Sequence, residues 1–168
     1  LYFGRLSVQK GIRTLLEAAK ELKDISFVIA GAGELENEVI EASKKYKNIE
    51  FAGFQTGEDL IKLIGEAKLS VLPTQWYENC PMSILESFML GTPVIGANIG
   101  GVPELIRNEI DGLLFEPKDK EGLKAAIVRG LKNDDFLKSM SKSAKERLED
   151  FSIESYHSKL MDIVKPLL

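Results

Sequence analysis

Short apolar runs alternate with amphipathic stretches along almost the whole chain, and this alternation restricts the fold more than any other feature. Runs rich in strand-forming residues are each followed by a stretch with helical spacing of apolar residues. The predicted strands cover residues 1–3, 26–30, 49–52, 69–72, 93–96 and 113–115. The predicted helices cover residues 11–22, 34–46, 57–67 and 81–90, a short helix that opens at 100–104, and polar helices in the rest of the chain.

This order of elements predicts an α/β fold of the Rossmann-like, doubly wound kind, with about six parallel strands and helices on both faces. Parallel strands need crossover connections, which are right-handed. In such open sheets, ligands bind beyond the carboxyl ends of the strands. We therefore expect the functional residues in the segments that follow strands, namely Gly4-Arg5, Gly31-Ala32-Gly33, Gly53-Phe54-Gln55, residues 73–80 and Gly100-Gly101.

Composition narrows the class of protein. A chain of 168 residues with 44% apolar and 29% charged side chains suits one globular domain with a core. The 22 basic and 26 acidic side chains argue against a nucleic-acid partner, which needs clustered positive charge. A single cysteine favours the cytoplasm, and no apolar run is long enough to span a bilayer. The chain begins inside a predicted strand, so we expect further sequence upstream.

Two cations follow the first predicted strand. Arg5 lies at its carboxyl end, and Lys10 lies at the start of the next helix, where N–H groups and the helix dipole favour an anion. A guanidinium can bind two phosphate oxygens and an ammonium adds a point charge, so the pair suits a diphosphate. Taken alone, an arginine and a lysine are more often two solvated surface charges.

Two carboxylates, Glu78 and Glu86, are separated by seven residues. Pro81 is a favourable first helical residue, so we expect Glu78 in the preceding loop and Glu86 inside the helix. Each carboxylate can accept hydrogen bonds from two neighbouring sugar hydroxyls. The N–H groups of Met82 and Ser83 would face anionic oxygens. On spacing alone, a loop acid and a helix-surface charge explain the pair better.

Five motifs in one order make a far more specific pattern than any of them alone. They are Gly4-Arg5-Leu6, Lys10-Gly11, Glu78-x7-Glu86, Gly91-Thr92-Pro93-Val94-Ile95 and Gly100-Gly101-Val102-Pro103-Glu104. With these motifs, the segment from Leu1 to about Leu148 resembles the carboxy-terminal, donor-binding domain of the family 4 glycosyltransferases of GT-B fold, the glycosyl transferases group 1 domain.

The resemblance implies a retaining glycosyltransferase that moves a sugar from a nucleoside-diphosphate sugar to an acceptor in carbohydrate or polysaccharide biosynthesis. Residues 1–168 would be its nucleotide-sugar-binding domain, and residues 151–168 would reach toward an amino-terminal acceptor domain that this chain lacks. The isolated domain is expected to bind nucleotide without turnover. A cytoplasmic enzyme is implied, and association of the full-length enzyme with the inner membrane face is left open.

The resemblance also assigns residues. Arg5 and Lys10 would neutralise the donor diphosphate, Glu78 would bind the transferred sugar, and Glu86 would bind the ribose. The other donor-binding positions would be Gly4, Gly31, Gly33, Phe54, Gln55, Asn79, Cys80, Pro81, Met82, Gly100 and Gly101. Cys80 and Pro81 stand where the family often has Gly-Phe, a difference that bears on sugar selectivity.

The expected chemistry needs neither a metal nor a cofactor. Negative charge grows on the departing phosphate as the sugar bond breaks, and preorganised cations at a helix amino terminus would stabilise it. No Asp-x-Asp motif suited to a divalent ion occurs, so we expect Arg5 and Lys10 to take the place of a metal.

Other candidate residues are weaker. A reactive thiolate at Cys80 would need a base, and the only histidine, His157, lies far along the chain. The segment from Gly31 to Glu36 imitates a dinucleotide-binding fingerprint, but Glu36 occupies the position of its third glycine. This difference argues against binding of a nicotinamide or flavin cofactor. Trp76 and Tyr77 would either stack on a ligand or cover the loop. Two alternatives stay open, a non-catalytic nucleotide-sugar-binding module and a sugar-nucleotide epimerase of similar fold.

Overall fold

A computed structural model of the chain describes residues 1–165, and every predicted strand is present with ends that differ by at most one residue. The strands are β1 (Tyr2–Phe3), β2 (Phe27–Ala30), β3 (Ile49–Gly53), β4 (Ser70–Leu72), β5 (Val94–Ala97) and β6 (Gly112–Phe115). The helices are α1 (Ile12–Glu21), α2 (Glu36–Lys45), α3 (Gly57–Glu66), α4 (Met82–Met89), α5 (Val102–Leu105), α6 (Lys120–Leu131), α7 (Asp134–Arg147) and α8 (Ile153–Val164), with a 3-10 turn over Leu148–Phe151.

The strands are parallel and form two three-stranded sheets, in the orders β1-β2-β3 and β4-β5-β6. The two sheets meet at Leu1. Its backbone nitrogen donates to Leu69 O over 2.8 Å, and its carbonyl accepts from Val71 N over 2.8 Å. The spatial order of strands is therefore β3-β2-β1-β4-β5-β6. The predicted parallel, doubly wound fold is confirmed, and its strand order reverses between β1 and β4, where open sheets of this kind bind ligands.

Strands whose two faces are both covered by helices appear in the sequence as unbroken apolar runs. The packing of β1 shows the reason. Tyr2 packs into a cluster with α1, α2 and α6, whereas Phe3, on the opposite face, packs with Ile64 of α3. In the same way Val71 joins the first cluster, and Leu72 joins a further one with Phe88 of α4. Helices therefore cover both faces of the strands, as the sequence predicts.

The carboxy-terminal helix α8 packs differently from the other long helices. None of its residues is buried, and its apolar side chains Ile153, Tyr156, Leu160 and Ile163 are exposed. The predicted tail of residues 151–168 is thus described only in part, since residues 166–168 lie outside the described range. Across residues 1–165, none of the helices has the length and apolar character needed to cross a membrane.

Candidate functional site

The loops that follow β1 and β4 enclose a cavity of about 440 Å³ at the point where the strand order reverses. Its lining consists of Arg5, Ser7, Gln9, Lys10, Trp76 and Glu78. Three residues predicted from the sequence, Arg5, Lys10 and Glu78, are thus brought to one cavity, although the two loops are far apart in the chain. Their roles stay predictions.

A larger cavity of about 600 Å³ lies at the opposite, amino-terminal ends of the strands and is lined mainly by apolar residues, including Phe27, Leu63 and Leu69. It lies away from the edge at which open α/β sheets bind ligands. Charge and position in the sheet therefore favour the smaller cavity as the functional site.

The loop after β1 is held against the glycine turn after β2. Leu6 N donates to Ala32 O over 2.9 Å, and Leu6 O accepts from Leu35 N over 2.9 Å. A Cβ at Gly31, whose φ is +146°, would lie 1.8 Å from Gly4 O. Only glycine fits that approach, so the turn at residues 31–33 supports the loop that carries Arg5.

Tyr2 fixes the backbone of Arg5 from inside the core. Its buried hydroxyl donates to Arg5 O over 2.6 Å. The pKa of Tyr2 is raised, because burial disfavours the phenolate and the negative charge of Glu78 adds to this effect. Tyr2 therefore remains a hydrogen-bond donor to the loop at any physiological pH.

Lys10 and Glu78 form an ion pair at the cavity. Lys10 Nζ lies 2.5 Å from Glu78 Oε1, and 28% and 19% of the respective side chains are exposed. The family resemblance assigns the two residues to different parts of a ligand. The structure shows that they also neutralise each other, which fixes the carboxylate of Glu78 at the cavity wall.

Thr74 lies behind this ion pair and is fully buried. Its hydroxyl lies 3.2 Å from Glu78 Oε1 and 3.3 Å from Gln9 O, and it accepts from Trp76 N over 3.3 Å. Gln75 N also donates to Gln9 O over 2.8 Å. The Thr74 hydroxyl thus links the loop after β1 to the loop after β4.

The glycine pair after β5 supports the loop that carries Glu78. Gly101 N donates to Glu78 O over 2.7 Å. A Cβ at Gly101 would lie 2.0 Å from Asn79 O, and one at Gly100 would lie 2.7 Å from Glu78 O. The predicted effect of Gly100 and Gly101 on the shape of the pocket therefore has a steric basis, since side chains would displace the loop.

Arg5 differs from Lys10 in its surroundings. Its side chain is exposed and, among residues 1–165, has neither an ion pair nor a hydrogen bond. It faces the cavity together with Lys10. An unpaired guanidinium at a cavity rim is available to a ligand, and among residues 1–165 it has no ion pair or hydrogen bond to give up on binding.

The structure does not bring Glu86 to this cavity. Glu86 is exposed in the second turn of α4 and is absent from the cavity lining. Two predicted helix starts need correction, since α4 begins at Met82 rather than at Pro81 and α2 begins at Glu36 rather than at Glu34. Pro81 has an extended ψ of 106° and precedes the helix, and its carbonyl accepts from Ile84 N over 3.0 Å.

The remaining predicted positions lie along the same edge of the sheet but outside the cavity lining. Phe54 and Gln55 follow β3, where Phe54 is exposed and the Gln55 amide donates to Ala52 O over 2.5 Å. Before α4, Asn79, Cys80 and Met82 are exposed and Pro81 is buried. Gly4 and Gly33 are exposed, and Gly31 is buried.

Three residues outside the sequence motifs, Ser7, Gln9 and Thr74, lie at or behind the cavity. Their position in the same loops as Arg5, Lys10 and Glu78 is the signal that could have identified them. Trp76 lines the cavity, and both it and Tyr77 are exposed, which favours contact with a ligand over a cover for the loop. Within residues 1–165, no three His, Cys, Asp or Glu side chains are grouped so as to hold a metal ion.

Comparison with known proteins agrees with the fold. The model of the family "Glycosyl transferases group 1" matches residues 1–147. Over 98% of its length, the chain superposes on the crystal structure of Anabaena HepE in complex with UDP, with a TM-score of 0.83, 20% identity and coverage of 48% of that chain.

Sequence relatives are longer than this chain. An uncharacterised glycosyltransferase of Methanocaldococcus jannaschii is 30% identical over 98% of this chain and 44% of its own length. The UDP-Gal:alpha-D-GlcNAc-diphosphoundecaprenol alpha-1,3-galactosyltransferase of Escherichia coli is 33% identical over 95% of this chain and 43% of its own length. The chain thus spans less than half of these relatives. The family match over most of the chain confirms the resemblance seen in the motifs, and the chain belongs to the glycosyl transferases group 1 family.

Proposed function

We propose that this chain is the donor-binding domain of a retaining glycosyltransferase, which transfers a sugar from a nucleoside-diphosphate sugar to an acceptor. Membership in the glycosyl transferases group 1 family supports transfer of a sugar. The name of the Escherichia coli relative specifies a UDP-linked sugar as its donor. The observation that carries the proposal is the cavity beyond β1 and β4, where Arg5, Lys10 and Glu78 meet.

The two cations bind the diphosphate in this proposal. Arg5, which has no protein partner among residues 1–165, binds phosphate oxygens with its guanidinium. Lys10 adds a second positive charge at the start of α1. When the bond between sugar and phosphate breaks, negative charge moves onto the phosphate oxygen, and both cations already lie at the cavity where this charge develops.

The acids bind hydroxyl groups. Glu78, fixed by Lys10 and Thr74, binds hydroxyls of the transferred sugar. Glu86, exposed on α4, binds the ribose hydroxyls. No metal ion and no cofactor takes part, because Arg5 and Lys10 supply the positive charge, and we expect transfer by the full-length protein to persist in EDTA.

The rest of the enzyme binds the acceptor. Because the chain spans less than half of its relatives, we propose that an amino-terminal domain completes the active site and that this chain alone binds nucleotide without turnover. The exposed apolar side chains of α8, among them Ile153 and Tyr156, form the contact to that domain. The full-length enzyme works in the cytoplasm, and association with the inner membrane face would come through regions outside this chain.

Titration of the chain with UDP, GDP, ADP and their sugars tests the proposal. We expect one base to be preferred, and Arg5→Ala and Glu86→Ala each to weaken binding, Arg5→Ala by about 10- to 100-fold because it removes charge-assisted hydrogen bonds. Arg13→Ala, which removes an arginine that pairs with Glu38 elsewhere on the surface, is the control. Equally weak binding of all ligands, unchanged by either substitution, would refute the proposal.

A further inference from the structure

Ser7 is the one residue among 1–165 with a buried side-chain oxygen or nitrogen that lacks a hydrogen-bond partner. Only 5% of Ser7 is exposed. Every other buried polar side chain in this range has a partner, a set that comprises Thr14, Ser70, Thr74, Ser87, Thr92 and Asp111. The lack of a partner is therefore specific to Ser7.

The position of Ser7 coincides with the proposed donor site. Ser7 lies between Arg5 and Lys10 in the loop from β1 to α1 and is part of the lining of their cavity. Its backbone nitrogen is engaged, since it donates to Arg5 O over 3.1 Å. The hydroxyl is thus the hydrogen-bond donor of this residue that remains for a ligand.

An unpaired buried hydroxyl destabilises a folded protein, because it gives up hydrogen bonds to water without a replacement. Alanine would fill the same place without that penalty. Ser7 lines the same cavity as Arg5 and Lys10, so an anionic ligand that enters it can supply the hydrogen-bond partner that the hydroxyl lacks. Arginine and lysine are donors without acceptor atoms, so a ligand that binds all three side chains must present acceptor oxygens.

We infer that the Ser7 hydroxyl donates a hydrogen bond to a phosphate oxygen of the nucleoside diphosphate and so forms a third side-chain contact beside Arg5 and Lys10. This inference rests on the proposed function and names a further residue of the same site. The role of Ser7 differs from the roles of Arg5 and Lys10, because Ser7 carries no charge and is buried. Its loss should therefore affect stability and binding in opposite directions.

Ser7→Ala and Ser7→Cys in the 168-residue chain test the inference. We expect Ser7→Ala to weaken binding of the preferred diphosphate among UDP, GDP and ADP by about 10-fold, the effect of one hydrogen bond to a charged group. The urea midpoint should stay equal or rise. Ser7→Cys nearly keeps the side-chain volume but has only a weak S–H donor, so it should also weaken binding.

The matched control is Ser70→Ala, since the Ser70 hydroxyl is equally buried but accepts from Ser87 over 3.0 Å. It should lower the urea midpoint without changing affinity. Titration with the matching nucleoside, which has no phosphate, should be insensitive to Ser7→Ala. Unchanged diphosphate affinity in Ser7→Ala, or equal loss for diphosphate and nucleoside, would overturn the role of Ser7. If Arg5→Ala still weakened binding in that case, the proposed donor-binding function would stand. If no diphosphate bound the wild-type chain, the proposed function and the role of Ser7 would both be refuted.

Discussion

Lys10 Nζ lies 2.5 Å from Glu78 Oε1, although 68 positions separate the two residues in the sequence. One belongs to the loop after β1 and the other to the loop after β4, the two strands between which the spatial order reverses. The ion pair therefore joins the two halves of the domain at the candidate site. Each partner also places a charge beside the other. We therefore expect substitutions at the two positions to have opposite effects on the affinity for a nucleoside diphosphate.

Substitution of each partner should shift binding of nucleoside diphosphate in opposite directions. Lys10→Met removes a cation and leaves the Glu78 carboxylate facing the ligand, so we expect affinity to fall about 10- to 100-fold. Glu78→Gln removes a negative charge beside the diphosphate, so affinity for the diphosphate should stay equal or rise. The affinity for the corresponding nucleotide sugar should rise less or fall, because the amide binds hydroxyls less strongly. Calorimetric titration measures both ligands.

In the full-length protein, Lys10→Ala should cut the rate of transfer sharply. A rate equal to that of the wild type would contradict the role of Lys10 in stabilising the leaving group. Arg13→Met is the matched control for Lys10→Met, because Arg13 pairs with Glu38 outside the cavity.

Thr74→Val should reduce both stability and affinity for the nucleotide sugar. The change keeps the shape of the side chain but removes the hydroxyl that contacts Glu78 and Gln9 and accepts from Trp76 N. We expect a loss of about 1–3 kcal/mol in the free energy of unfolding, because buried partners lose their hydrogen bonds. Urea denaturation and titration with the nucleotide sugar measure the two effects.

Thr92→Val separates these effects, since Thr92 is also buried and donates to Ile64 O over 2.7 Å outside the cavity lining. It should cost a similar free energy of unfolding and leave affinity unchanged. If Thr74→Val lost stability but bound the nucleotide sugar like Thr92→Val, Thr74 would hold the two loops together without positioning Glu78.

Gly101→Ala should destabilise the chain and weaken binding. The added Cβ would lie 2.0 Å from Asn79 O, a backbone atom, so the loop that carries Glu78 must move. We expect a loss of about 1–3 kcal/mol in the free energy of unfolding, as for other overpacked sites. Gly65→Ala in α3, where a Cβ would meet nothing within 4 Å, should instead gain about 0.5 kcal/mol from helix propensity. Wild-type affinity in Gly101→Ala would show that the glycine pair does not shape the site.

Glu21→Gln should destabilise the chain at neutral pH and have less effect in acid. The pKa of Glu21 is lowered to about 2 from an ordinary value of 4.5, first by hydrogen bonds from Lys120 and Lys124 of α6. Because the pKa in the folded state is depressed, this contribution is complete above pH 4.5 and is lost as the pH falls toward 2. The urea midpoints of both proteins, measured at about pH 7, 4 and 3, should converge as the pH falls.

The effect of Glu21 should be small, since its carboxylate is well exposed, and added salt should reduce it. A difference between the two midpoints that is constant over this pH range would show that the lysines do not stabilise the charged form of Glu21.

Local sequence patterns predicted the elements of this fold closely. Strands buried on both faces need unbroken apolar runs, such as Phe27–Ala30, and helices on their surface need apolar residues on one side, as in α1. The start of α4 was predicted one residue too early, because proline suits both the first helical position and the position before it. The helix begins after Pro81 because the ψ of Pro81, 106°, is extended and not helical.

The site was predictable in type but not in detail. Glycine, arginine and lysine after the first strand indicated an anion site, and the structure places Arg5 and Lys10 at one cavity. The structure leaves Glu86 outside that cavity, because its direction depends on how α4 packs on β4 and β5. Its position between Arg5 and Lys10 makes Ser7 a candidate, but neither its burial nor its lack of a partner can be predicted from the sequence.

The sequence by itself determined which segments are strands and helices, the family to which the chain belongs, and the residues that follow each strand. These depend on neighbours within a few positions or on motifs that can be read in order. Only the tertiary structure decided that Lys10 meets Glu78, that Thr74 lies behind both, and that Ser7 is buried without a partner. The physical reason is that these contacts depend on β1 and β4 lying side by side, an arrangement set by burial of the whole core.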